Sequence, residues 1–163
     1  MKKICLILGM CFMFTGCATV ETFETLGQIR HESDAAPAMG SVLLTLPESA
    51  AKEAFANDGD KMYECDGYTL VLQTLSSGDF HKTVQSLSGF SVDDLTVMES
   101  QAGDHKRYEW VWTAAGEGGD VLCRATVLDD GNYHYCLCAI APAQNVGSLQ
   151  AEWNEVFHSF QLS

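Results

Sequence analysis

Asp120-Val121-Leu122-Cys123-Arg124-Ala125-Thr126-Val127-Leu128-Asp129-Asp130-Gly131-Asn132-Tyr133-His134-Tyr135-Cys136-Leu137-Cys138-Ala139-Ile140-Ala141 is the stretch whose reading decides the fold. Two β-prone runs, residues 120–128 and 133–141, flank Asp129-Asp130-Gly131-Asn132. Asp-Gly between such runs marks a hairpin, because both central residues of a type I′ turn need positive φ. With Asp130-Gly131 at the centre, Leu128 faces Tyr133, Ala125 faces Cys136 and Cys123 faces Cys138. Alternation then places Val121, Cys123, Ala125 and Val127 on the face that carries His134, Cys136, Cys138 and Ile140.

Working outward, Leu95 to Ser100 and His105 to Thr113 are further strand-like runs, separated by Gln101-Ala102-Gly103-Asp104, and the glycine-rich Ala114 to Gly119 leads into the hairpin. These four strands form an antiparallel meander. Ser41 to Leu46, Met62 to Cys65 and Tyr68 to Leu75 read as earlier strands. Glu48 to Ala56, rich in Ala, Glu and Lys, reads as a helix stopped by Asn57-Asp58-Gly59-Asp60. Asp79 caps a helix through Ser88, with Phe80, Val84 and Leu87 on one side and Gly89 at its end. After Pro142, Ser148 is the expected N-cap of a final helix with Leu149, Trp153, Val156, Phe157 and Phe160 on its apolar side. The predicted fold class is α+β, an antiparallel meander of about five to six strands covered by two to three helices.

The last stretch, Trp153-Asn154-Glu155-Val156-Phe157-His158-Ser159-Phe160-Gln161-Leu162, resembles the terminal helix of PsbP-like domains. The Tyr133 to Ala141 strand and Pro142 loop resemble the bacterial DcrB-like lipoproteins of that superfamily. The resemblance implies a PsbP-like fold that serves assembly or binding, with no shared catalytic set and no functional residues to transfer.

At the other end, Lys2 and Lys3 precede an apolar run from Ile4 to Phe14, the order of a secretory signal. The run is shorter than the roughly 20 apolar residues that span a bilayer. Phe14-Thr15-Gly16-Cys17 resembles the lipobox of bacterial lipoproteins. That resemblance implies cleavage between Gly16 and Cys17 and acylation of Cys17 by a thioether-linked diacylglycerol and a further fatty acid such as palmitate. The expected organisation is a lipoprotein signal peptide over 1–16, a lipidated N-terminus and flexible tether over 17–40, and a single domain over 41–163.

Loss of the signal removes Lys2 and Lys3 from nine basic side chains and none of 22 acidic ones, so the formal charge moves from −13 to −15. A surface this acidic excludes nucleic acid, whose binders gain affinity by neutralising phosphates. Membrane contact then comes from lipid on Cys17 and not from a basic patch.

Of seven cysteines, Cys5 and Cys11 leave with the signal and Cys17 carries lipid. Cys65, Cys123, Cys136 and Cys138 remain, an even number in an exported chain, which permits disulfides. The hairpin opposes Cys123 and Cys138 as a hydrogen-bonded pair, a geometry in which the cross-strand bond is harder to make, so reduced buried thiols are expected. Cys123, His134, Cys136 and Cys138 share one face and form a metal-ligand inventory for zinc or cuprous copper. Their apolar neighbours favour a core. Tyr108, Trp110 and Trp112 form a second candidate, an alternating aromatic row that stacks on a ligand if exposed and packs if buried.

Enzyme templates are absent: there is no Gly-x-Ser-x-Gly elbow, His-Glu-x-x-His, Walker loop or Cys-x-x-Cys. Asp93-Asp94, Asp129-Asp130 and Asp58-Gly59-Asp60 suit turns better than calcium loops. The sequence therefore predicts a non-enzymatic, lipid-anchored protein of the bacterial cell envelope, on the extracytoplasmic side, with an envelope protein partner and no cofactor. The alternative is a ligand- or metal-binding lipoprotein that uses the Cys/His face or the aromatic row.

Overall fold

A computed structural model describes residues 37–163 apart from 51 and 57–59, with backbone alone for residues 52–56. Gly16, Cys17 and the tether as far as residue 36 lie outside the described residues. In chain order the elements are β1 (Val42–Leu43), β2 (Lys52–Ala56), β3 (Asp60–Cys65), β4 (Tyr68–Ser76), α1 (Phe80–Ser88), β5 (Met98–Ala102), β6 (His105–Gly116), β7 (Gly119–Asp129), β8 (Tyr133–Pro142), α2 (Val146–Ser159) and β9 (Gln161–Leu162). Seven strands form one antiparallel sheet in the order β2-β3-β4-β8-β7-β6-β5, and β1 pairs with β9 in a separate two-stranded ribbon. The α+β class holds. The expected single meander is two, β2-β3-β4 and β5-β6-β7-β8, joined where β4 pairs with β8.

This junction explains β8. With a strand on either side and a helix over each face, every residue from His134 to Ala141 except the half-buried Ile140 is buried, as that almost unbroken apolar run requires. Side chains on one face join Val84 of α1 with Trp110, Ala125, Val127 and Cys136. The opposite face packs Leu70, Leu128, Leu137 and Ala139 against Trp153, Val156 and Phe157 of α2. Full burial of each large apolar side chain contributes roughly 1.5–3 kcal/mol.

α1 is punctuated as its sequence predicts. Asp79 Oδ1 accepts from His81 N–H at 3.1 Å, and Gly89, at φ 78°, donates its N–H to Gln85 O at 2.8 Å. Elsewhere local propensity loses to pairing. Glu48 to Ala56 is not a helix: Ala50 N–H closes a turn on Pro47 O, and residues 52–56 pair along β3, since a sheet edge overrides the helical preference of Ala, Glu and Lys. α2 begins at Val146, so Ser148 lies inside it and donates to Asn145 O instead of capping. It ends at Ser159, and Gln161–Leu162 leaves to pair with Val42–Leu43.

The hairpin also differs. Asp129 pairs with His134, so Ala125 faces Cys138 and Cys123 faces Ile140, two residues away from the type I′ register. Gly131, at φ 89°, is the sole positive-φ residue of the loop, whereas type I′ needs two. Asp130 Oδ1 accepts from the N–H groups of Asn132 at 2.8 Å and Tyr133 at 2.7 Å, and these bonds build the wider loop. Burial raises the Asp130 pKa, but these donors and the Tyr135 hydroxyl outweigh it and hold the carboxyl below its usual range. A slip of two keeps every side chain on its expected face.

Residues 37–40, expected to be tether, are held on the domain. Tyr133 donates its hydroxyl to Pro37 O at 2.7 Å, and Gly40 N–H donates to the Tyr135 hydroxyl at 2.7 Å. A side chain at Gly40 would crowd that contact, because a Cβ would lie 3.2 Å from the same hydroxyl oxygen.

Candidate functional site

β6 presents its residues alternately to the two sides of the sheet, and this alternation distributes every candidate. Tyr108, Trp110 and Trp112 point to the α1 side and are buried. Phe80 of α1 stacks on Tyr108 with centroids 4.0 Å apart and meets Trp110 edge-on at 6.2 Å. The aromatic row is thus the floor beneath α1. Cys123, His134, Cys136 and Cys138 lie on the same side, all buried. Sequence reasoning brought these seven residues onto two faces of interest; the structure merges them into one core.

The chemistry of that core follows from its dryness. Burial pushes the Cys136 and Cys138 thiols up to about 12, with Asp60 adding to the first and Cys123 to the second, and burial also raises Cys123. Metal ligation needs thiolates. Among the described residues no three His, Cys, Asp or Glu side chains are gathered closely enough to hold an ion. Cys123 and Cys138 are diagonal neighbours and do not face each other, a relation with Cα atoms about 7–8 Å apart, beyond the usual disulfide span of roughly 4.4–6.8 Å.

His134 has a different partner set. Its Nδ1 lies 2.8 Å from Thr83 Oγ1 of α1, and its Nε2 lies 3.6 Å from Asp129 Oδ2. Hydroxyl, imidazole and carboxylate stand in the order of the nucleophilic triads of hydrolases but with the ring nitrogens exchanged, since in those triads the hydroxyl meets Nε2 and the carboxylate Nδ1. Thr83 and His134 are nonetheless buried, with Phe80 edge-on to the imidazole at 6.1 Å, so no scissile bond reaches the hydroxyl. The chain of polar contacts ties α1 to β8 and the hairpin.

On the α2 side β6 offers a different set. α2 packs over β4, β8 and β7 and leaves the β5-β6 half of that face open, so Arg107, Glu109 and Val111 of β6 and Arg124 of β7 line a cleft beside the helix. Arg107 donates from Nη1 to Phe160 O at 3.0 Å and from Nη2 to Phe157 O at 2.8 Å, meeting the carbonyls at the C-terminal end of α2. Glu109 Oε1 accepts from Arg107 at 3.1 Å, Thr126 at 3.1 Å and Arg124 at 3.5 Å. Burial raises its pKa, but the two guanidinium groups and the threonine outweigh burial and hold the carboxyl below its usual range. Arg124 also donates to Asn154 Oδ1 at 2.9 Å and lies 4.3 Å from the Phe157 ring centroid, a cation–π contact.

The cleft has two parts. A cavity of about 600 Å³ holds Arg107, Glu109, Arg124 and Asn154 with His105 and His158 at its rim. An adjoining groove of about 220 Å³ is lined by Met98, Val111, Leu122 and Trp153, and Arg124 and Asn154 belong to both parts. Sequence reasoning missed these residues because a cleft depends on where α2 stops covering the sheet. A signal was present: two of the three arginines of a strongly acidic chain, Arg107 and Arg124, sit in strands at positions that alternate with buried residues.

No family model matches the chain, and no curated protein sequence matches it. Solved structures do resemble it. The crystal structure of LpqN, involved in cell envelope biogenesis of Mycobacterium tuberculosis, superposes with a TM-score of 0.51 at 12% identity, over 80% of this chain and 87% of that one. A crystal structure from Bacteroides thetaiotaomicron gives 0.47 at 14% identity, over 69% and 41%. The solution structure of cyanobacterial PsbP (CyanoP) from Synechocystis gives 0.44 at 10% identity, over 80% and 98%. The resemblance to PsbP-like domains is thus met by a PsbP among these structural neighbours, at a score too low to carry an argument by itself. Of the three, the LpqN superposition is the one close enough to establish a shared fold.

Proposed function

We propose that this chain is a lipid-anchored protein of the bacterial cell envelope, held on the extracytoplasmic side through Cys17, whose α+β domain binds a partner or assists assembly and catalyses no reaction. The observation that carries the reading is the order of the N-terminus: Lys2-Lys3, a short apolar run and Phe14-Thr15-Gly16-Cys17 ahead of a domain with its own core. Two further points support it. LpqN, which shares the fold, is itself involved in cell envelope biogenesis. Among the described residues no helix is long and apolar enough to cross a membrane. Binding is favoured over catalysis because the triad-like arrangement among the described residues is sealed in the core, whereas the open cleft presents Arg124 and Asn154 with donors to spare.

The test is metabolic labelling with an alkyne analogue of palmitate. The parent chain should take up label and partition into detergent. Cys17→Ser should abolish the label and leave the protein unprocessed or released; partitioning like the parent's would refute the anchor.

A further inference from the structure

We propose that the cleft beside α2 binds a monoanionic amphiphile, its carboxylate head on Arg124 and Asn154 and its alkyl tail along Met98, Val111 and Leu122. The proposal rests on the binding-module reading above and names its ligand class. Three observations carry it. First, the apolar groove carries its own polar end: Arg124 and Asn154 line it together with Met98, Val111 and Leu122, and the same two residues line the neighbouring charged cavity, so a single ligand with a charged end beside an apolar body fits there. Small-molecule sites have this character, a mostly apolar wall with a few convergent polar groups. Secondly, the donors are set for an anion. Asn154 gives its Oδ1 to Arg124 and keeps its NH2 to donate, and Arg124 spends N–H groups on Asn154 and Glu109 while others have no protein acceptor among the described residues. Thirdly, the charge balance selects a monoanion. Arg107 and Arg124 against Glu109 leave one positive charge, which one carboxylate neutralises, and the acidic remainder of the chain disfavours a dianion.

The groove wall matches the tail. Met98 is 62% exposed and Val111 50% exposed, the two most open large apolar side chains of this half of the sheet. Trp153 forms the inner wall, and its buried Nε1–H has no acceptor among the described residues. Trp153 also supplies a reporter, since Trp110 and Trp112 lie on the opposite side of the sheet.

The experiment uses the full chain in phosphatidylcholine nanodiscs, with its three tryptophans replaced by fluorotryptophan and observed by fluorine NMR. Titration with decanoate should move the Trp153 signal and leave Trp110 and Trp112 in place. Decanol enters the disc bilayer as well but lacks the charge, and should need a concentration roughly tenfold higher, the loss expected for one charge-assisted contact. Arg124→Gln and Val111→Asp should each weaken the decanoate response by about tenfold. Val111→Asp alters an exposed position, so it keeps the test valid if Arg124→Gln unfolds. Equal responses to decanoate and decanol, a response confined to Trp110 and Trp112, or a parental response in Val111→Asp would overturn the proposal. So would a Trp153 signal that depends on protein concentration without decanoate, which would assign the groove to a second copy of the chain. The anchor has its own readout in Cys17→Ser labelling, so failure of the ligand class and failure of the anchor are told apart.

Discussion

Trp110 and Val111 are neighbours in β6, yet the first is 1% exposed and the second 50%. The difference lies in what covers each face. On the α1 side Phe80, Val84 and Leu87 close over Tyr108, Trp110 and Trp112, and cysteines of β7 and β8 fill the space beside them. On the other side α2 stops short of β5 and β6, and the residues along the open half are mixed: the charged Arg107 and Glu109, the small Ser100 and Ala102, and the exposed apolar Met98 and Val111. One strand therefore contributes its aromatic residues to stability and the intervening ones to a surface. Residue types that resemble a site on paper, a row of tryptophans or a cluster of cysteines and histidine, are the ones a dry core also selects.

The largest test of this division is Trp110→Ala. Truncation of a fully buried aromatic should cost roughly 3–5 kcal/mol through lost burial and a residual cavity, read as a lowered midpoint in urea. A loss below about 1 kcal/mol would mean that the aromatic row is not core.

Glu109→Gln comes next, because it breaks the polar network of the cleft without opening a cavity. Two guanidinium groups lose their shared carboxylate, at a cost of roughly 1–2 kcal/mol at neutral pH. The sign with pH follows from the depressed pKa of Glu109. Its stabilisation is present above the unfolded-state pKa of about 4.3 and is lost as pH falls through the lower folded-state value. The parent and Glu109→Gln should therefore converge in stability as the pH is lowered through that window. A gap that stays constant down to the acid limit would show that the carboxylate contributes nothing as an ion.

Val111→Ser is the smallest change. At an exposed strand position it should alter stability by no more than about 0.5 kcal/mol, and a loss as large as that of Trp110→Ala would erase the contrast between the two faces.

How much of this could be read from sequence depends on which interactions decide each part. The existence of the four strands from β5 to β8 was legible, because apolar alternation and the turns at Gly103, Gly119 and Gly131 are local, although β5 lies at Met98–Ala102, later in the chain than the expected Leu95 to Ser100. Which face each hairpin residue occupies was legible too. The register was not, since Asp130 builds the loop with its own side chain and shifts the pairing by two residues. β2 escaped because its residues favour helix in isolation and become a strand only when β3 is beside them. β9 escaped for the same reason, as it exists only through Val42–Leu43. The cleft was the least legible feature. Its residues come from β5, β6, β7 and α2, and the position of the C-terminal end of α2 over the sheet, pinned by Arg107, decides that it exists at all.

The most direct test of the two-faced sheet is oxidative footprinting of the folded full chain by hydroxyl radicals, with side-chain modification read by mass spectrometry. Met98 at the cleft should oxidise rapidly, while Trp110, Trp112, Cys136 and Cys138 should stay protected until the protein is unfolded. Modification of Trp110 and Trp112 in the folded chain as fast as Met98 would contradict the account, because it would place the aromatic row on an open surface.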